Sequence, residues 1–469
     1  MRGQRPTFLT HTAAASKRPF GGRARAACRA IVVTTAALPF LVGRTAIPAA
    51  WADELQDLKQ QIDTLQKRVS QLEVRKQQRE QRQKPSAGLQ RGPVKGSFVI
   101  PGTNTALKFG GFVQADMQSD FGGDPGDTWS AANIPLDSGS NTARSNRHLR
   151  LTARDTRINL ATWTPTPLGE AKGFFEMDFR GNEPTSSATG STIDAEGTTN
   201  SYSPRLRHAY FELGPWLAGQ TYSTFISRGT SAQTVGWVGT EGGMMVRQAQ
   251  LRYTFGLGPA LLQLSVENPE SDVKNIATGD GKAALTDHYP DVVGRMLWTQ
   301  PWAHGDIAYL SRWLSVHQDH VRADQYAYGL AANMAVPTFG EDELYLQSEA
   351  GRGIGRYLNS KFSSGYMIGT GVDLTRDFGY RIGYKHVFTK NFYLTASGGE
   401  EAALPSHSVV RTSDVMRTWS TAGDLFYRPF PDDLPGFWTA VEYAHGHRRD
   451  QDGGTGSDDR VDVATKFAF

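Results

Sequence analysis

The sequence predicts an all-β protein, a 16-stranded antiparallel transmembrane β-barrel preceded by an N-terminal α-helical coiled coil. Three observations carry that expectation. From Leu107 onward, eight long Gly/Asp/Ser-rich stretches alternate with seven short turns, which separates sixteen strands. Between the breaks, apolar and polar residues alternate with a period of two. The chain ends on a strand, Val461 to Phe469, whose last residue is aromatic, where a soluble chain end would fray into water.

Composition fits. A mean hydropathy of −0.44 with 39% hydrophobic residues excludes a bundle of membrane helices. Barrel strands offer lipid only every second residue, so a polar average is compatible with spanning a bilayer. Residues 1–52 read as an export signal. They contain the basic residues Arg2 to Arg29, the apolar run Ala30 to Val42, and a small-x-small cleavage site at Ala50-Trp51-Ala52. They hold eight of the 50 Lys and Arg and none of the 47 Asp and Glu, so the remainder carries 42 basic against 47 acidic residues, a formal −5. The basic pI of 8.8 therefore reflects the leader and gives no argument for nucleic acid. Cys28 falls within the leader, which leaves the mature chain without thiol chemistry.

Residues 53–84 read as a coiled coil. Leu55, Leu58, Ile62, Leu65, Val69 and Leu72 recur at alternating spacings of three and four, with almost only polar residues between them. So narrow a stripe needs copies of itself for burial. β-branched residues at a with Leu at d mildly favour two strands, whereas Arg68 and Glu73 frame a trimer-type pattern. A trimer is the favoured reading. Residues 85–104 form a polar linker with Pro85, Gly88, Gly92 and Pro93, and residues 105–469 the barrel.

The long breaks are 119–146, 182–203, 227–244, 268–290, 315–322, 352–363, 391–414 and 447–459. The short ones sit at Pro165-Thr166-Pro167, Gly214-Pro215, Gly258-Pro259, Pro301-Trp302, Pro337-Thr338, Asp377-Phe378 and Pro429 to Pro435. Phe175, Met177 and Phe179 alternate with Glu176, Asp178 and Arg180, and Gln248, Gln250, Arg252 and Thr254 with their apolar neighbours. Tyr366, Ile368, Thr370, Val372 and Leu374 form one face of a further strand, and Ile382, Tyr384 and Phe388 one face of the next. A polar inner face in a barrel of this strand number means a water-filled channel. In the last strand, Phe467 and Phe469 share the outer face, and pairing with the first strand leaves no edge.

Several blocks carry a resemblance. Leu151 to Arg157 (LTARDTR), Phe175 to Phe179 (FEMDF), Pro204 to Tyr210 (PRLRHAY), Leu217 to Thr221 (LAGQT) and Val246 to Tyr253 (VRQAQLRY) are similar to the DcaP-like porins. The resemblance implies a homotrimer in the outer-membrane lipid, with the coiled coil in the periplasm and a pore for small anionic solutes such as dicarboxylates. A barrel of this kind is inserted by the barrel-assembly machinery and needs no catalytic group, metal or cofactor.

Pore selectivity comes from charges at a narrow place. The candidate pore-lining set is Arg150, Arg154, Arg157, Arg180, Arg207, Arg247 and Arg252, arginine being the side chain best matched to carboxylates. Strand parity adds Arg295, Arg381, Lys385 and Lys466. Asp116, Glu176, Asp178, Asp373 and Glu442 share that face and oppose the set. Ser227 to Met245 is apolar and Gly-rich for an outer loop, which suits either an inward constriction or packing on a neighbour or the rim. The alternatives are a non-selective porin, a barrel enzyme or a structural tether. His208, His386, His445 and His447 lack a nucleophile or ligand spacing, although His445-Gly446-His447 could take a metal adventitiously.

Overall fold

The computed structural model describes residues 60–73, 90–123, 125–126, 128–138, 149–181, 203–236, 239–275, 281–282, 286–318, 321–406 and 413–469. Leu55 and Leu58 of the heptad seam and residues 1–52 lie outside them. Residues 60–73 are helical and belong to a unit separate from Gly88–Phe469. On this helix Ile62, Leu65, Val69 and Leu72 are 48, 59, 53 and 62% exposed, an apolar stripe without cover in the single chain.

The larger unit is a closed antiparallel barrel of sixteen strands. They run Ala106–Asp120 (β1), Leu149–Thr152 with Arg157–Thr166 (β2), Gly169–Asp178 (β3), Arg205–Leu213 (β4), Trp216–Tyr222 (β5), Arg247–Leu257 (β6), Ala260–Glu267 (β7) and Asp291–Gln300 (β8). They continue Ala303–Gln318 (β9), Val321–Pro337 (β10), Glu343–Arg352 (β11), Arg376–Val387 (β12), Phe392–Leu404 (β13), Val415–Tyr427 (β14), Phe437–Asp450 (β15) and Thr455–Ala468 (β16). Each pairs with the next in sequence, and β16 returns to β1, with Val463 opposite Met117 and Phe467 opposite Val113.

The period of two has the predicted sense. On β1, Phe109, Val113 and Met117 face outward while Gln114, Asp116, Gln118 and Asp120 are buried within. The closing residue is held by backbone: the Phe469 N–H donates to Gly111 O at 3.1 Å and the Gly111 N–H to Phe469 O at 3.3 Å. The Phe469 ring stacks on Phe109 with centroids 5.8 Å apart. Within the segment read as a linker, Gln90–Arg91 pairs with Phe98–Val99, which pairs with the start of β1.

Four readings of the second half are corrected. Tyr366 to Leu374 is not a barrel strand. Gly365–Ile368 and Gly371–Leu374 form a hairpin, and the first of them also pairs in parallel with Val273–Asn275. Gly369, at φ 58°, makes the turn, so two short strands joined there mimic one continuous alternation. Asp377-Phe378 lies inside β12 and not at a turn. The break read at 391–414 is mostly β13, where Gly398, Gly399, Glu400 and Glu401 look loop-like only because part of that face receives an inward loop. Finally, β9 and β10 pair as far as Gln318 and Val321, so 315–318 and 321–322 are paired strand and not part of a long break.

Candidate functional site: the lumen and its inward loops

Between β5 and β6, residues 223–236 and 239–246 fold into the barrel and reach the opposite wall. Carboxylates pointing inward from that wall receive its backbone. The Val235 N–H donates to Asp424 at 2.7 Å and the Gly236 N–H to Glu442 at 2.9 Å. Closer to its root, the Thr224 N–H reaches Glu267 at 2.7 Å and the Ser227 hydroxyl reaches Asp306 at 2.6 Å. Glu401 is the centre of the arrangement. Its Oε1 accepts the N–H groups of Gly242 (2.9 Å), Gly243 (3.2 Å) and Asn359 (3.0 Å), and its Oε2 that of Ser360 (2.9 Å). Asn359 and Ser360 belong to the second inward segment, 353–375, so one side chain ties both loops to β13. Hydrogen bonds to a charged acceptor contribute about 1.5–3 kcal/mol each. A loop held at this many points is anchored to the wall.

Gly242 shows how closely the backbone approaches the wall. Its φ is +80°, and a Cβ there would stand 1.8 Å from Tyr380 O. Beside it, Glu241 Oε1 accepts the Ala131 N–H at 2.8 Å, drawing in the loop after β1. Burial, and then the neighbouring Glu401, push the Glu241 carboxyl above the ordinary carboxylate range.

The other side of the lumen is basic. Arg205 and Arg207 both bind Asp178, at 2.7 Å each, and Arg207 also binds Glu176 at 2.7 Å. Arg157 is 3.8 Å from Glu176 and lies over the Phe112 ring at 5.1 Å, and Lys466 covers the same ring at 3.6 Å. The Arg247 guanidinium donates to the Tyr222 hydroxyl at 2.8 Å, while Arg247 and Arg228 lie 4.5 and 4.9 Å from the Tyr222 ring centre. Arg180 is held bidentately by Asp155 at 2.6 and 2.7 Å. Arg154 is buried in the interruption of β2 and donates to Gly181 O at 3.5 Å. Arg150 stands opposite Gln118 on the inner face, and Arg252 lies near Glu212, Glu267 and Arg295.

The sequence-derived set therefore divides. Arg157 and Arg247 stand in one basic wall with Arg207, whereas Arg180 serves an ion pair beneath it. Arg295 is tied to Asp306 at 2.8 Å, and Arg381 is buried under the inward loop against Gly243. Sequence reasoning missed Arg205, Arg228, Arg356 and Lys361. Arg205 lay within the quoted PRLRHAY block, but the other three sit on loops, where no period marks the lumen side. Lys361 is the only described non-glycine residue at positive φ, 49°. Burial, followed by Arg205, Arg356 and Arg247, lowers its ammonium pKa. The four histidines bind Thr221, Asp342, Asp459 and Ser457 from β4, β12 and β15.

A closed sixteen-stranded barrel with a wet, charged interior narrowed by inward loops is the architecture of an outer-membrane porin. Residues 46–297 match the model of the DcaP outer membrane protein family, and the chain belongs to that family. No curated protein matches the chain significantly. Among solved structures, the outer membrane channel DcaP of Acinetobacter baumannii is similar with a TM-score of 0.69 and 21% identity, over 80% of this chain and all of that one. An OmpF of Salmonella typhi, in complex with daunomycin, matches with TM-score 0.48 and 12% identity over 79% of this chain and 99% of its own. An anion-selective porin from Comamonas acidovorans matches with TM-score 0.46 and 9% identity, covering 78% of this chain and 100% of its own.

Proposed function

We propose that this channel passes small hydrophilic solutes by passive diffusion and prefers anions, dicarboxylates among them. One observation carries the reading: the inner carboxylates opposite the basic wall are occupied by loop backbone, while the arginines are gathered around the opening. Asp424, Glu442, Glu401, Glu267 and Asp306 each accept an inward-loop N–H or hydroxyl. Their charge faces the anchored backbone and not the passing solute. Arg228 and Arg247 lie over the Tyr222 ring and Arg157 over Phe112, and Lys361 lies near Arg205 and Arg247. Unit charges about 4 Å apart interact by roughly 1 kcal/mol in bulk water and roughly 4 at a partly screened site. Charges beyond a Debye length of about 8 Å are largely screened by salt. Local arginines therefore outweigh the formal −8 of residues 94–469, 33 basic against 41 acidic. Bidentate pairing favours carboxylates, and water in the lumen keeps binding weak enough for release.

The same reading gives a homotrimer joined by the helix that includes 60–73, with that helix and the short turns on the periplasmic side. The test is the reversal potential of the purified protein in a planar bilayer under a salt gradient. Anion preference in the wild type, reduced in Arg205→Ala with Arg247→Ala, supports it. A cation-preferring wild type, or no change in the double variant, leaves a general-diffusion porin instead.

A further inference from the structure

Outside the lumen, one sector of the barrel wall carries a row of arginines. Glu349, Asp377, Thr418 and Asp450 are buried on the inner face of β11, β12, β14 and β15. By the period of two, Arg352, Arg376, Arg417 and Arg449 therefore point outward, and all four are exposed. They lie at the strand ends nearest the long connections. Strand pairing groups them two by two, with Arg352 directly opposite Arg376 and Arg417 directly opposite Arg449. Like charges in that relation repel.

The carboxylates on this face are engaged elsewhere or too few. Glu400 binds Arg417 at 3.2 Å and accepts the Tyr380 hydroxyl at 2.9 Å. Asp459 is taken by Tyr443 and His445 at 2.6 and 2.8 Å, and Asp324 by Arg322 at 3.0 Å. Among the described residues the side chains of Arg352, Arg376 and Arg449 make no hydrogen bond or ion pair. The surroundings put the row at the membrane surface. Deeper along the same strands the outer face presents Tyr380, Trp419 and Tyr443, and deeper still Ile382, Leu425 and Val441. Aliphatic, then aromatic, then basic is the order from hydrocarbon to headgroup. The same end of β1 and β2 presents Met117, Leu149 and Leu151 instead, so the row is confined to one side of the barrel.

We infer that these four arginines form a docking site for the phosphate groups of a glycolipid in the outer leaflet. A guanidinium fork binds phosphate bidentately, and a phosphate held between opposite arginines removes their repulsion. The two pairs are two strand intervals apart, about 10 Å, which suits a headgroup bearing two phosphates. The aromatic and aliphatic layers below then meet the lipid's sugars and acyl chains. Of the functional reading above, this site depends only on the orientation, with the short turns on the periplasmic side, and not on pore selectivity.

For the test, the full-length protein in detergent micelles is titrated with bis-phosphorylated lipid A, and bound lipid is counted by native mass spectrometry. The expected result is saturable binding, weakened at least tenfold when the phosphates are removed from the lipid. Arg352→Gln with Arg376→Gln, and separately Arg417→Gln with Arg449→Gln, weaken it to the same extent. Lys390→Gln, in the β12–β13 turn at the other end of the barrel, changes nothing. Reversal potentials of both double variants match the wild type, which separates this site from the pore arginines. Equal binding of the dephosphorylated lipid overturns the inference, as does displacement by millimolar inorganic phosphate, which would make free phosphate the ligand. Should a double variant fail to fold, these two measurements on the wild type decide the matter. In intact cells an impermeant maleimide should label Asp452→Cys in the β15–β16 turn and not Gly340→Cys between β10 and β11. The reverse pattern overturns the orientation, and the lipid site with it, whatever the pore selects.

Discussion

Lys361 combines two costs at one position. A left-handed backbone costs a side chain other than glycine about 1–2 kcal/mol. Its ammonium is also brought among Arg205, Arg356 and Arg247. On the proposed anion-preferring reading, an anion passing at this point relieves the second cost. Lys361→Gly should keep or slightly raise the thermal midpoint while lowering the anion-to-cation permeability ratio about twofold or more, as read from reversal potentials. A stable variant with unchanged selectivity removes Lys361 from the conducting path. Because its pKa lies below the ordinary 10.5, the native state sheds that proton before the unfolded chain does. Its stability contribution therefore rises with pH in that window, while anion preference falls. Lys361→Arg should retain the preference under alkaline conditions. Glu241 behaves oppositely: its raised pKa means that the native loop keeps a proton the unfolded chain has lost, so loop stability falls as pH rises from 4.5 through the folded value. Glu241→Gln should flatten that dependence in thermal unfolding against pH, and an unchanged slope would assign it to other groups.

At the scale of elements, the proposed selectivity rests on the inward loop, and its glycines decide whether it can dock. Gly242→Ala places a methyl where Tyr380 O already is and at a φ that alanine rarely adopts, so the loop must leave the wall. Larger single-channel conductance, weaker anion preference and a lower thermal midpoint are expected together. Gly256→Ala, with nothing within 4 Å of the added Cβ, should match the wild type in all three. Normal conductance in Gly242→Ala would show that the loop does not set the constriction. The composition of this loop was visible in the sequence, since its Gly-rich run is apolar for an outer connection. Its direction was not, because the anchors lie far away in sequence, Glu401 being 159 residues from Gly242. The same distance blurred β13: its inward Glu401 reads as loop in a linear string and becomes sensible only with Gly242, Gly243, Asn359 and Ser360 bound to it. The hairpin 365–374 misled for a local reason, since a glycine turn can join two short strands without breaking the period of two.

At the scale of the whole molecule, what was legible depended on period and closure, and what was not depended on partners across the lumen. The alternation of Phe109, Val113 and Met117 against Gln114, Asp116 and Gln118 identifies the lipid side without any tertiary knowledge. The arginine set could be named but not sorted, because the carboxylate that captures Arg180 comes from an interruption in β2 that no periodicity announces. The heptad seam leads to an assembly expectation: a peptide spanning 53–84 should associate in sedimentation equilibrium, and one that stays monomeric at high concentration refutes the seam. The end of the chain carries the final expectation. A barrel leaves no edge only if its last strand reaches the first along its full length, and here that contact extends to the terminal residue through two backbone hydrogen bonds to Gly111. The Phe469 ring adds a stacking contact with Phe109 on the outer face, where an aromatic suits the boundary between lipid and water. Phe469→Asp keeps the backbone bonds but puts a charge on that face, whereas deletion of Phe469 removes both. Deletion should therefore lower the yield of folded, heat-modifiable barrel in the outer membrane more than Phe469→Asp does. If both give wild-type yield, closure is complete without the last residue, and the pairing of Phe467 with Val113 suffices.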